Sequence, residues 1–147
     1  MDQRHTAPWL LGLLSSLLLA LVGLAGPTVP AAVAADFQDT VDYTLTNQSG
    51  KDFSGQQLAN SSFAGAVGKG ANFAGANLHG AILTQGAFPD ADFSGADLSD
   101  ALMDRTDMSH TNLRGAVLVG AIASGGNFSG ADVTDADFSD EIGRAHV

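Results

Sequence analysis

The chain has 147 residues, six Lys and Arg against sixteen Asp and Glu, a formal net charge of −10, and no Cys. So acidic a composition lacks the basic surface that phosphate attraction requires, which excludes a nucleic-acid binder. The missing cysteines exclude a disulfide framework, so stability must come from packing alone.

At the amino terminus, Arg4 and His5 precede an apolar stretch from Trp9 to about Ala25, interrupted by Gly26, Pro27 and Pro30 and followed by Ala32-Val33-Ala34. This is the layout of a secretory signal peptide, so residues 1–34 are expected to be cleaved and to take no part in the fold. A single Arg points to Sec export over the twin-arginine route. The competing reading is an uncleaved membrane anchor, since the stretch is near the lower length limit for spanning a bilayer. After Sec cleavage, no stable membrane insertion is expected.

Residues 35–50 carry Phe37, Val41, Tyr43 and Leu45 among Thr and Asn. They read as a linker or as an N-terminal cap over the first turn of a repeat that starts at residue 51, the cap being preferred. Phe37, Val41 and Leu45 are four apart, a spacing that allows two helical turns.

From residue 51 to 140 an apolar side chain recurs every fifth position: Phe53, Leu58, Phe63, Phe73, Leu78, Leu83, Phe88, Phe93, Leu98, Met103, Met108, Leu113, Leu118, Phe128, Val133 and Phe138, broken only at Gly68 and Ala123. A period of five fits neither an amphipathic helix nor a half-buried strand, so it marks a repeat architecture. Ala commonly stands two positions before the apolar residue and Asp or Asn one before it, as in Ala91-Asp92-Phe93-Ser94-Gly95. If the large and small residues both face inward, the chain winds narrowly, while Gly supplies a positive-φ corner. Asn60, Asp90, Asp100, Asp135 and Asp140 are expected to take the same conformation where Gly is replaced. At Gly68 the core loses a large side chain, so the surrounding coil is expected to be the weakest.

These residues resemble the pentapeptide repeat family, whose loose motif is Ala-(Asp/Asn)-Leu-x-x. The resemblance implies an all-β fold, a right-handed quadrilateral β-helix with four pentapeptides per coil, here about four and a half coils. The sequence supports four per coil independently: at a lag of twenty, Gly55, Gly75, Gly95 and Gly115 fall in one column. So do Asp52, Asn72, Asp92, Asn112 and Asp132, and Ile82, Leu102 and Ile122.

Residues 141–147 abandon the pattern. They match one reading frame of a common sequencing adapter, so a non-native tail, an adapter read-through artefact, is expected, with the native chain continuing beyond Asp140.

No catalytic or metal-ligating constellation is found, and no cofactor is expected. His79 and His110 are thirty-one apart, on different sides of a four-sided coil, and read as surface residues. Two columns are candidate sites. The acidic and amide ladder Asp52, Asn72, Asp92, Asn112 and Asp132 alternates charge with amide, which relieves repulsion and permits hydrogen bonds along the stack. Ile82, Leu102 and Ile122 form an outward apolar stripe, with Val117 and Val119 on the preceding side, suited to a protein partner, a second copy of the chain included. The preferred reading is therefore a non-catalytic, exported structural or protein-interaction module. Similarity to the small thylakoid-lumen proteins of the family implies the lumen; the periplasm is the other destination. The alternatives are an acidic DNA mimic binding a topoisomerase, or a membrane-anchored repeat protein.

Overall fold

The computed structural model describes residues 40–141. The signal peptide, the anchor alternative, Phe37 and the tail after Glu141 lie outside the described residues.

The repeating unit closes a corner every five residues. In the unit around Phe53, the Gln56 N–H donates to the Phe53 carbonyl at 3.1 Å, across a turn whose third residue, Gly55, has φ 64°. This is the arrangement of a type II turn. Asn60, Asp90, Asp100, Asp135 and Asp140 adopt the same conformation, with φ between 56° and 61°. Leu45, Gln85, Arg105 and His110 also stand at such corners.

Four corners make one coil, and each coil bonds to the next at a lag of twenty. Phe53 N–H donates to Asn72 O at 2.7 Å and Asn72 N–H returns to Lys51 O at 2.8 Å. Parallel pairing repeats from Asp42 with Ser62 to Val117 with Asp137. The result is a right-handed quadrilateral β-helix. Its sides take their names from their outward residues: face 1 carries Asp42, Ser62, Ile82, Leu102 and Ile122; face 2 Asn47, Val67, Ala87, Asp107 and Asn127. Face 3 carries Asp52, Asn72, Asp92, Asn112 and Asp132; face 4 carries Gln57, Asn77, Asp97, Val117 and Asp137.

The repeat begins earlier than its apolar pattern suggests. Residues 41–50, expected as a linker or a cap, wind as a half coil ahead of the four and a half formed by residues 51–140, so that residues 41–140 span five coils of twenty. Tyr43 takes the inward position on face 1, its ring 4.7 Å from Phe63 and 5.3 Å from Phe53. Gln48 takes the same position on face 2, where a polar residue hides the five-residue signal.

The axis is filled by the inward residues. Fourteen of the sixteen expected core positions are buried, while Val133 and Phe138, in the last coil, are only partly so. On face 3 the rings of Phe53, Phe73 and Phe93 stack at 4.8 and 4.7 Å, nearly parallel. Gly68 leaves no void. A Cβ there would fall 2.7 Å from Phe88 Cε1, because the Phe88 ring from the next coil fills that space.

Candidate functional site

Outward residues do more than meet solvent. Where the residue before the inward position is Asp or Asn, its Oδ1 accepts the backbone N–H two residues on: Ser54 to Asp52 at 3.0 Å, Ala74 to Asn72 at 3.0 Å, Ser94 to Asp92 at 2.9 Å. The bond pins the start of the adjoining turn, the local role for which Asp and Asn side chains are suited. The repeat therefore selects Asp or Asn for an acceptor oxygen, and the charge is a consequence of that choice.

Hydroxyls reinforce several of these carboxylates. Ser99 Oγ donates to Asp97, and Thr134 Oγ1 to Asp132 at 2.6 Å. Side-chain hydrogen bonds from Thr44, Ser54, Ser99, Thr134 and Ser139, together with the backbone N–H bonds of the same residues, hold Asp42, Asp52, Asp97, Asp132 and Asp137 below the ordinary carboxyl value of 3.8. For Asp97, partial burial opposes that shift and is outweighed.

Along the face 3 ladder, Asn112 Nδ2 donates to Asp92 Oδ1 of the preceding coil at 3.0 Å. The same geometry joins Asn127 to Asp107 on face 2 and Asn77 to Gln57 on face 4. Arg114 reaches Asp132 at 3.5 Å. The ladder is thus a structural device, and its carboxylates are already engaged in holding turns and neighbouring coils.

Face 1 departs from this rule. Ile82 pairs with Leu102 and Leu102 with Ile122 on successive coils, and an aliphatic side chain offers the turn no acceptor. Val67 and Ala87 on face 2 and Val117 on face 4 break the rule too, but only face 1 does so over three coils running. Leu102 is 36% exposed and Val117 37%; Ile82, Ile122 and Val119 are partly exposed. A row that forgoes a turn-holding bond and exposes apolar surface breaks two local rules at once, which is how functional surfaces commonly announce themselves.

The edges of face 1 are set by its corners. Asp100 precedes it and Arg105 comes after it, on the same coil as Leu102. Asp100 also lies 3.9 Å from His79 Nδ1, which meets Ser99 Oγ at 3.1 Å. His110 instead covers Gly130, at the corner after face 2, so the two histidines stand apart. Among the described residues no group of three or more His, Asp or Glu could hold a metal ion. Arg105 drew no attention in the sequence because it breaks no period; its signal is the column of positive-φ corners Leu45, Gly65, Gln85, Arg105 and Gly125.

Comparison with known proteins places this geometry. The family described as Pentapeptide repeats matches residues 52–85, 91–128 and 101–140, with 8 copies. A pentapeptide repeat protein from the thylakoid lumen of Arabidopsis thaliana is 41% identical, with a TM-score of 0.51, covering 67% of this chain and 69% of that one. HetL, a pentapeptide repeat protein involved in heterocyst differentiation regulation in the cyanobacterium Nostoc, is 26% identical with a TM-score of 0.51. That match covers 67% of this chain but 47% of HetL, so the chain spans less than half of HetL's length. QnrB1, a plasmid-mediated fluoroquinolone resistance protein, is 20% identical over 62% of this chain and 48% of its own, with a TM-score of 0.52, a likeness of fold alone. No curated protein sequence matches the chain.

Proposed function

The chain belongs to the pentapeptide repeat family, and from that membership we propose that it is a non-catalytic structural and protein-interaction module, exported to the thylakoid lumen or the periplasm. The observation that carries the interaction role is the row Ile82, Leu102 and Ile122, where three successive coils give up a turn-holding acceptor for exposed aliphatic surface. Export is supported by the signal-peptide pattern of residues 1–34 and by 41% identity to a thylakoid-lumen protein.

A DNA mimic that engages a topoisomerase is the reading that the net charge of −10 favours. It is the weaker one, because a side with no charge at Ile82, Leu102 and Ile122 is a poor copy of an unbroken phosphate row.

Cross-linking of the tagged protein in its host, with subsequent fractionation and mass spectrometry, tests the proposal. The expected result is a mature chain lacking about the first 34 residues, recovered outside the cytoplasm and linked to another polypeptide. Leu102→Asp should abolish the linkage and leave the melting temperature unchanged. An uncleaved chain in the cytosol would overturn the export reading, and linkage indifferent to Leu102→Asp would overturn the role of face 1.

A further inference from the structure

Building on that interaction role, we propose that face 1 receives a second copy of this chain, the two coils lying side by side and pointing the same way about a twofold axis parallel to the coil axis. At the height of Leu102, the charged corner residues on the two edges, Asp100 and Arg105, favour this arrangement. Asp100 and Arg105 are positive-φ corners, at 56° and 53°, five residues apart, so they bound face 1 at nearly one height.

Both side chains lean toward the next coil. Asp100 Oδ1 lies 2.6 Å from where a Cβ of Gly120 would be, and Arg105 Cγ lies 3.5 Å from the corresponding point at Gly125. Those two glycines leave room at the same level on either edge. The Asp100 carboxylate and the stem of Arg105 therefore share a height as well as a coil.

A twofold axis along the coil preserves height and exchanges the edges. Each Arg105 then faces the second copy's Asp100, twice over, while Ile82, Leu102 and Ile122 each meet their own counterpart; Asp42 at the foot of the face meets its own too, and Asp104 beside Arg105 nears the second copy's Asp100, repulsions that the two ion pairs must outweigh. An axis across the coil instead preserves the edges and inverts height. Centred on Leu102, it would set Arg105 against Arg105 and Asp100 against Asp100, like charge on like. Sheets packed face to face stand about 10 Å apart, a gap that the long Arg stem and its guanidinium cross to reach a short carboxylate.

The dimer is a weak one. Five coils at a spacing of about 4.8 Å make a face roughly 24 Å tall and one pentapeptide wide, well short of the ~800 Å² per partner of a standard interface. Association belongs to high protein concentration, and the edge charges act more on orientation than on strength.

Cysteine cross-linking of the purified protein tests the arrangement cleanly, since the chain has no cysteine of its own. Ile82→Cys should form a disulfide-linked dimer under mild oxidation at high concentration. When Ile82→Cys and Ile122→Cys proteins are mixed, each should link only to its own kind. Added to Ile82→Cys, Arg105→Asp should lower the cross-linked fraction about tenfold, and a further Asp100→Arg should restore it, because the swapped charges complement each other again. Melting curves verify that each variant remains folded. Links between positions 82 and 122 would overturn the parallel arrangement, and a failed charge swap would overturn the edge pairing. A sedimentation profile that stays monomeric at all concentrations would overturn self-association altogether. If, in that event, Leu102→Asp still abolishes capture of a different polypeptide in the host, the interaction role stands while the second copy is ruled out as its partner.

Discussion

The ring of Phe88 occupies the place that Gly68, twenty residues earlier on face 2, leaves open: a Cβ on Gly68 would lie 2.7 Å from Phe88 Cε1. The two residues form one packing unit spread over two coils, and Gly86 completes it, since a Cβ there would fall 2.5 Å from Phe88 Cε2. Phe128 leans on Gly126 in the same way, at 2.9 Å.

Gly68→Leu therefore restores the five-residue pattern yet destabilises the protein, by about 1–3 kcal/mol for an overpacked core. Phe88→Leu in the same chain should recover most of that loss. Urea unfolding of the single and double variants checks the pair, and a more stable Gly68→Leu protein would refute it.

Phe73 is held between Phe53 and Phe93 with ring planes 8° and 5° from parallel. Phe73→Ala should cost about 3–5 kcal/mol. Phe73→Leu should cost about 1 kcal/mol, because a leucine, Leu113, already fills the same column. The contrast between the two in chemical denaturation is the measurement.

Asn112 donates to Asp92 Oδ1 at 3.0 Å. Asn112→Asp removes that donor and brings two carboxylates together, for a loss of about 1 kcal/mol at pH 7 in this half-exposed setting. At about 1 M salt the repulsive part of the loss should be screened. Equal changes in melting temperature at low and high salt would sink the assignment.

Asp52, Asp97 and Asp132 are held below 3.8 in the folded state, mainly by the hydroxyls of Ser54, Ser99 and Thr134. Their unfolded forms bind protons first as pH falls, so these groups contribute stability that is complete above about pH 4 and is lost as pH drops below 3.8 through the lowered folded values. Ser99→Ala should move the Asp97 titration back toward 3.8, which carbon-detected NMR would read directly. An unmoved Asp97 curve would assign the shift to another cause.

Leu45 sits at a corner with φ 57° and is 82% exposed. A branched aliphatic residue is poorly suited to that conformation, and little burial would be lost on replacing it. Leu45→Asn should raise stability by up to about 1 kcal/mol, as at Asn60, which holds φ 60°. A fall in melting temperature would show that its partial cover of Gly65 matters more.

The coil was legible in the sequence because a narrow axis admits apolar side chains only at fixed intervals, and Phe53 to Phe138 display that interval openly. Its beginning was not, because Gln48 is polar and Tyr43 alone is too short a run to show an interval of five, so the register shows only through the hydrogen bonds to Ser62 and Val67. The Asp and Asn columns were visible, but their oxygen acceptors point along the chain to the residue two ahead, a contact that column-wise reading misses. The apolar stripe was found by its lag of twenty. Its charged edges were not, since Asp100 looked like an ordinary turn residue and Arg105 belongs to no pattern until the corner column is lined up.

A winding in which every contact recurs after twenty residues also constrains how such a gene can change length. Insertion or deletion of a whole block of twenty shifts everything downstream straight along the axis, with each wall still aligned. Loss of a single pentapeptide instead turns the remainder of the chain through a right angle, and an oily surface assembled from three separate circuits would be dealt out to different walls of the tower.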